Sequence, residues 1–159
     1  MTQILTFAKL KTDDISRFLV TKMLKISTKS QYGLRAMVYL AKSRDKISPL
    51  KVISEAEGIS FDYLEKIISK LEKAGLVKAK KGVRGGYFLR KSPTRIKIGE
   101  IIKALEGDKG LVKCITKING KRFCCPRERR CLTKNFWKKI QDSLNSTLNS
   151  ITLADLIKR

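Results

Sequence analysis

The sequence predicts a mainly α-helical fold with a small β-hairpin wing, in which a winged helix-turn-helix domain precedes a long C-terminal dimerisation helix. Two observations carry this prediction. Between residues 48 and 75, two amphipathic helices are separated by a short turn with a glycine, as in a DNA-reading helix-turn-helix. Between residues 76 and 89, two short apolar runs flank a basic, glycine-rich tip, which indicates a hairpin.

The helix-turn-helix is predicted from its capping residues and its apolar spacing. Ser48 is expected to cap the first helix, with Pro49 at its first position and Gly58 at its end. Ser60 is expected to cap the second helix, and Gly75 to close it. The apolar positions that recur at helical spacing are Val52, Ile53, Ala56, Leu64, Ile67, Ile68 and Leu71.

Charged and aromatic residues stand where such a motif meets DNA. Lys80, Lys81 and Arg84 occupy the predicted wing tip, where cations contact phosphate. The N-terminal end of the second helix contacts base edges in helix-turn-helix proteins, and here it carries Asp62, Tyr63, Glu65 and Lys66. A glutamate such as Glu65 can accept a hydrogen bond from a cytosine amino group. The alternative interpretation is that these residues form an ordinary solvated surface.

Three further helices are predicted from apolar spacing. The first spans Thr28 to Lys42, with an apolar stripe of Leu34, Met37, Val38 and Ala41. Its N-terminal side is expected to bind a phosphate, and the candidate residues there are Lys25, Thr28, Lys29 and Arg35. The second carries Ile98, Ile101, Ile102 and Leu105 and ends at Gly107. The last helix has a larger apolar face than a small domain can bury by itself, so it is expected to pair with the same helix of a second copy. Its apolar residues are Phe136, Trp137, Ile140, Leu144, Leu148 and Ile151.

Composition favours a polyanionic partner. The 159 residues contain 36 Lys and Arg against 14 Asp and Glu, a formal charge of +22. A membrane surface competes as the partner, but no apolar run is long enough to span a bilayer. Charges interrupt the apolar N-terminus, so no secretory signal is predicted and the expected location is the cytosol. Four cysteines in that reducing compartment indicate metal ligands or redox sensors rather than structural disulfides.

The chain divides into four expected parts. Residues 1–22 are an extension, with Met23 as a candidate native start, and residues 23–107 form the winged helix-turn-helix domain. Within that domain the helix-turn-helix covers about 48–75 and the wing about 76–89. Residues 108–134 form a cysteine-rich loop, and 135–159 form the dimerisation helix and C-terminal segment.

Several motifs follow one another in the order of a known family. They are residues 25–37, 63–66, 74–77, 85–89, 98–107 and 151–156, with Cys131 and Trp137 between the last two. From Met23 to Leu156 the chain resembles the Rrf-type winged-helix regulators, the family of IscR, NsrR and CymR. The resemblance implies a homodimeric transcription factor that binds a double-stranded DNA operator, and it implies no small-molecule substrate and no membrane partner. It implies DNA contacts from Thr28, Ser60, Asp62, Tyr63, Glu65, Lys66, Lys81 and Arg84.

The resemblance also implies a cofactor. Several family members hold a [2Fe–2S] or [4Fe–4S] cluster with three cysteines of this loop, and thiolates are soft ligands suited to iron–sulfur clusters or zinc. On this chain the candidate ligands are Cys114, Cys124, Cys125 and Cys131. An iron–sulfur cluster, with [2Fe–2S] as the expected type, is the leading interpretation. A cluster-free thiol redox switch, zinc and idle cysteines are the alternatives.

The fourth ligand departs from the pattern of the family. IscR-like members have a histidine a few residues past the third cysteine, but Lys134 stands there and the chain has no histidine. NsrR-like members use an aspartate of the partner's first helix, where this chain has Gln31. The adjacent Cys124–Cys125 pair, a partner side chain and an open coordination site remain as candidates.

The predicted function is therefore DNA-binding transcriptional regulation, expected as repression, with affinity controlled by an iron–sulfur cluster. A cluster-free or partner-regulated repressor is the first alternative, since CymR-like members lack these cysteines. A non-specific basic nucleic-acid-binding protein is the second. An enzyme is not predicted, because the sequence contains no histidine, nucleophile motif, P-loop or dinucleotide-binding fingerprint.

Overall fold

The computed structural model describes residues 26–43, 47–108, 110–118, 121–122 and 125–158. The expected extension at residues 1–22 and the first-helix cation Lys25 lie outside them. In the described part the main helices are α1 (Thr28–Lys42), α2 (Leu50–Glu57), α3 (Phe61–Lys73), α4 (Ile98–Glu106) and α5 (Lys134–Ser150). The strands are β1 (Val77–Lys80), β2 (Gly86–Leu89), β3 (Lys117–Ile118) and β4 (Lys121–Arg122). Short 3₁₀ turns cover Pro93–Arg95, Lys113–Ile115, Glu128–Arg130 and Ala154–Leu156.

Helix α1 has the predicted bounds but buries a shifted face. Its buried residues are Ser30, Gly33, Ala36, Met37, Leu40 and Ala41. Leu34 and Val38, predicted for the core stripe, are only partly buried at its margin. The shift arises because α1 packs against both α3 and α4, and these two neighbours together define which side is covered.

The expected cap of the first motif helix is wrong by one residue. Pro49, not Ser48, is the N-cap residue, and α2 begins at Leu50. Ser48 is buried and forms a bridge with Tyr87 of β2, so its backbone is extended. Leu50 and Ile53 form the buried face of α2, whereas Val52 is 44% exposed. The tertiary pairing of Ser48 with the wing thus overrides its capping preference.

The second motif helix follows the prediction closely. Ser60 is the N-cap residue of α3, although its side chain makes no capping hydrogen bond, and the four predicted apolar residues are all buried. The helix ends in a Schellman motif, in which Leu76 N–H donates to Leu71 and Gly75 N–H donates to Glu72. Gly75 has φ +72°, a left-handed conformation that glycine adopts without steric cost.

The wing is an antiparallel hairpin tied to the start of α2. Val77 pairs with Leu89 and Lys80 with Gly86, so residues 81–85 form the tip. Ser48 and Tyr87 exchange two backbone hydrogen bonds of 3.0 and 2.9 Å, which add a third short segment to the hairpin. A Cβ at Gly86 would lie 2.5 Å from the Ser48 carbonyl oxygen, so glycine is needed for this approach.

One core holds the domain together, and the C-terminal segment contributes to it. After α5 the chain returns to the start of α4, where Ile98 N–H donates to the Ile151 carbonyl and Leu153 N–H to the Ile96 carbonyl. Leu153 is fully buried in the core formed by α1, α3 and α4. The segment that follows α5 therefore packs into the winged helix domain and stabilises it.

None of the helices in the described ranges combines the length and the apolar character needed to cross a bilayer.

Candidate functional site

The N-terminal end of α3 presents the residues predicted to read DNA. Ser60, Asp62, Glu65 and Lys66 are exposed, and Tyr63 is partly buried. They share one outward side because Leu64, Ile67, Ile68 and Leu71 turn the opposite side of α3 into the core. The structure thus brings the predicted α3 residues together on one solvent-facing surface.

The wing tip adds positive charge beside this helix. Lys81 and Arg84 are exposed, and Val83 between them is fully exposed. Within the described part of the chain, Lys66, Lys81 and Arg84 take part in no ion pair. Their charges are therefore available to an anionic ligand such as a phosphate backbone.

Two of the cations expected beside a phosphate instead form ion pairs with carboxylates of the same chain. Lys29 Nζ lies 3.4 Å from a carboxylate oxygen of Glu106, and Arg35 Nε lies 2.9 Å from a carboxylate oxygen of Glu57. The guanidinium of Arg35 also donates to the Glu57 backbone carbonyl. Thr28 is exposed at the first position of α1 and is the candidate phosphate contact of that helix.

An aromatic contact orients Tyr63. The rings of Tyr32 and Tyr63 meet edge to face with centroids 6.0 Å apart and planes at 83°. The guanidinium of Arg35 lies 5.6 Å from the Tyr32 ring centre, within cation–π range. Through Arg35 and Glu57 this contact links α1, α2 and the start of α3. Sequence reasoning missed the contacts of Tyr32 and Glu57, because each joins residues of two different helices and no local pattern pairs them.

The wing also faces the outer side of α3. Burial raises the pKa of the Tyr87 hydroxyl, and the carboxylates of Glu72 and Glu65 raise it further. A Glu72 carboxylate oxygen accepts a hydrogen bond of 3.3 Å from Ala79 N–H. The hydrogen bond holds β1 beside α3, and β2 is kept there by its pairing with β1.

The cysteine loop, residues 108–133, follows α4 and leads into α5. Cys114, Cys125 and Cys131 are free thiols of intermediate exposure, and Cys124 lies outside the described residues. The loop is tied to α5 by Leu111 N–H, which donates to the Gln141 side chain at 2.9 Å. Hydrogen bonds with the side chain and backbone of Thr133 lower the pKa of the Cys131 thiol, and the charge of Lys134 acts in the same direction.

The donor chemistry of this loop fits a soft metal or an iron–sulfur cluster, since thiolates are the preferred ligands of both. The described conformation does not form a cage, because no three His, Cys, Asp or Glu side chains in the described ranges come together as a metal site. Binding would require the loop to bring its thiols together.

The two positions compared with the fourth ligands of relatives are engaged elsewhere. Lys134 Nζ lies 2.6 Å from a Glu128 carboxylate oxygen. Gln31 donates its side-chain amide to the Ile26 carbonyl at 3.0 Å. Among the described residues, no hydrogen bond joins either side chain to Cys114, Cys125 or Cys131.

Helix α5 has an amphipathic face without a buried residue. Trp137, Ile140, Leu144 and Leu148 recur at helical spacing and are partly buried, and Phe136 is 56% exposed. The Phe136 and Trp137 rings meet edge to face at 5.1 Å. An apolar helix face that the chain itself covers only in part is typical of a subunit interface.

Comparison with known proteins identifies the family of the chain. The family described as "Rrf2: Iron-dependent Transcriptional regulator" matches residues 26–159. The HTH-type transcriptional regulator IscR of Yersinia enterocolitica is 38% identical over 135 residues, covering 84% of this chain and 79% of that protein.

Two solved structures agree in fold and sequence. The structure of T. potens IscR has a TM-score of 0.65 and 41% identity, with 85% of this chain and 87% of that chain covered. The structure of CymR (YrzC), the global cysteine regulator of B. subtilis, has a TM-score of 0.63 and 38% identity, with 84% of this chain and 96% of that chain covered. These relatives are transcriptional regulators and not enzymes, which confirms the prediction that this chain is a transcriptional regulator. The chain therefore belongs to the Rrf2 family of transcriptional regulators.

Proposed function

We propose that this chain is a homodimeric, sequence-specific DNA-binding repressor of the bacterial cytosol whose DNA affinity depends on an iron–sulfur cluster held by its loop cysteines. The observation that carries the DNA-binding part is that the cations of the α3 N-terminus and the wing tip are exposed and take part in no ion pair within the described residues, unlike Lys29 and Arg35. On this surface the wing holds phosphates while α3 enters a major groove.

The roles of the surface residues follow from their chemistry. Lys81 and Arg84 contact phosphate and supply affinity without sequence preference. Glu65 and Asp62 face base edges, and as acceptors they favour a cytosine amino group. Tyr63, oriented by the Tyr32 ring, donates its hydroxyl to a phosphate and fixes the register of the helix.

Selection of bound duplexes from genomic DNA tests this proposal. We expect an enriched, roughly palindromic site, because two copies of α3 would meet two half-sites. Lys81→Ala should weaken binding to all duplexes and reduce the salt slope by about one. Lys91→Ala is the matched control, since Lys91 is exposed beyond the far end of β2. Equal affinity for enriched and scrambled duplexes would instead support a non-specific basic nucleic-acid-binding protein.

The proposed dimer rests on the apolar face of α5. Trp137, Ile140, Leu144 and Leu148 form a stripe that a twofold-related copy would cover. Pairing at α5 would set the distance between the two copies of α3. DNA affinity then becomes sensitive to whatever changes the packing of α5.

The proposed cofactor site rests on the donor chemistry of the cysteine loop and on the iron dependence in the description of the family. Cys114, Cys131 and one or both of Cys124 and Cys125 would hold the cluster. A bound cluster would cross-link the loop, and its oxidative loss would remove that cross-link. The lowered pKa of the Cys131 thiol favours the thiolate form that metal binding needs. The Leu111–Gln141 hydrogen bond connects loop rearrangement to α5.

Anaerobic purification tests the cofactor directly. We expect brown protein that contains iron and acid-labile sulfide, and we expect both to be lost in Cys114→Ser and in Cys131→Ser. If Cys124→Ser and Cys125→Ser both lose the cluster, the pair supplies two ligands. If only one does, the fourth ligand comes from elsewhere.

Protein that stays colourless and iron-free after reconstitution would exclude the cluster. The thiol switch would then be the surviving interpretation, and peroxide treatment alone should change the DNA affinity.

A further inference from the structure

We propose that Glu106 is a positioning residue for DNA binding, which ties the first turn of α1 to the end of α4 and so holds Thr28 against a DNA phosphate. The inference rests on the proposed function, because it takes Thr28 to be a phosphate contact. It assigns a role to a carboxylate that lies outside the helix-turn-helix and the wing.

The evidence is a set of contacts between distant parts of the chain. The Glu106 carboxylate accepts hydrogen bonds from the hydroxyl groups of Ser27 and Ser30, the latter at 2.6 Å, and pairs with Lys29 at 3.4 Å. Ser27 is also the N-cap residue of α1, where its hydroxyl oxygen accepts from Ser30 N–H at 3.2 Å. Three residues that surround Thr28 are thus fixed by one carboxylate.

The environment favours the charged form of this carboxylate. Although partial burial opposes ionisation, hydrogen bonds from Ser27 and Ser30 and the charge of Lys29 lower the pKa of the Glu106 carboxyl. The Glu106 side chain is 23% exposed, so solvent competes only in part with these donors. A negative charge at the N-terminus of α1 also complements the helix dipole.

Thr28 itself remains exposed while its neighbours are held. A turn that is ordered before DNA arrives loses less conformational entropy on binding, so a fixed Thr28 gives higher affinity than a mobile one. Glu106 is also followed by Gly107 and the first residues of the cysteine loop.

Substitution Glu106→Gln distinguishes positioning from simple electrostatics, because the two predict opposite signs. Removing a negative charge and freeing Lys29 should tighten binding to DNA if only charge matters. If Glu106 acts by positioning, binding to the selected duplex should instead weaken by about tenfold, because hydrogen bonds to a charged carboxylate become weaker bonds to a neutral amide oxygen and the ion pair with Lys29 is lost. Asp142→Asn is the matched control, since it makes the same charge change on the exposed side of α5 and should leave affinity equal or slightly higher.

A second measurement follows the turn without DNA. Amide hydrogen exchange of a peptide covering residues 26–34 should be faster in Glu106→Gln than in wild type and Asp142→Asn, because the α1 turn opens more often. Exchange in this peptide that is unchanged in Glu106→Gln would overturn the proposal.

A double-mutant cycle tests the link to Thr28. In the wild-type background, Thr28→Ala should weaken binding to the selected duplex by about fivefold. In the Glu106→Gln background it should weaken binding by less than about twofold, because the contact of Thr28 with phosphate is already impaired there. If the losses of affinity in the double variant are fully additive, or if Glu106→Gln binds the duplex more tightly, Glu106 is not a positioning residue. If Glu106→Gln does not fold, Ser30→Ala replaces it, since this variant removes one hydrogen bond to the same carboxylate without a change of charge. Failure of wild type to select any duplex would refute the proposed function itself, and the exchange measurement would still decide the role of Glu106.

Discussion

Replacing Leu153 with alanine should destabilise the winged helix domain strongly, although Leu153 lies beyond the last long helix. The side chain is fully buried, and its backbone N–H donates to the Ile96 carbonyl at 2.8 Å. Truncation of a fully buried leucine costs about 3 kcal/mol, since both the lost transfer free energy and the residual cavity contribute. This is a large fraction of the roughly 5–15 kcal/mol that stabilises a domain of this kind. A matching fall of about 6–12 °C in the melting temperature is expected.

The matched control is Leu156→Ala, three residues later in the same segment. Leu156 is 39% exposed, so the same chemical change should cost less than about 1 kcal/mol. Urea unfolding followed by circular dichroism measures both variants, at one fixed protein concentration because assembly adds to apparent stability. Equal losses in the two variants, or a loss below about 1 kcal/mol for Leu153→Ala, would refute the assignment of the C-terminal segment to the core.

The remaining predictions concern base preference, assembly and pH. Glu65→Ala should relax the selected motif at one position of each half-site, with about 1–3 kcal/mol less discrimination. Replacing Ile140 and Leu144 together with lysine should give monomers by sedimentation and abolish selective binding, because the charges would lie on the apolar face of α5. The stability gap between wild type and Glu106→Gln should be largest at neutral pH. It should shrink as the pH falls below the ordinary glutamate pKa of 4.5, because a carboxylate whose folded-state pKa is lowered loses its contribution when it is protonated.

Each of these predictions has a result that contradicts it. An unchanged selected motif in Glu65→Ala would leave Glu65 as surface charge. A double lysine variant that stays dimeric would place the interface away from α5, and lysines at the exposed Ser143 and Ser146 serve as its control. A stability gap that stays constant from pH 7 to pH 3 in urea titrations would show that the Glu106 carboxylate is not stabilised by its contacts.

The sequence by itself determined the local structure of this protein. The bounds of α1, the end of α2 at Gly58, the buried stripe of α3 and the pairing of the wing strands all agree with the predictions. These features depend on capping, turn chemistry and periodicity, which act over a few neighbouring residues. The family motifs likewise stand as contiguous stretches in the printed sequence, and so the family could be identified from them.

Only the tertiary structure decided which charged residues remain available to a ligand. Arg35 pairs with a carboxylate 22 residues away, and Glu106 accepts hydrogen bonds from hydroxyl groups 76 and 79 residues away. Ser48 pairs with Tyr87 of the wing instead of capping α2, and Leu153 is buried in a core formed by helices that precede it in the chain. No local pattern encodes such contacts, because they form only when packing of the apolar faces brings distant polar groups within hydrogen-bonding distance.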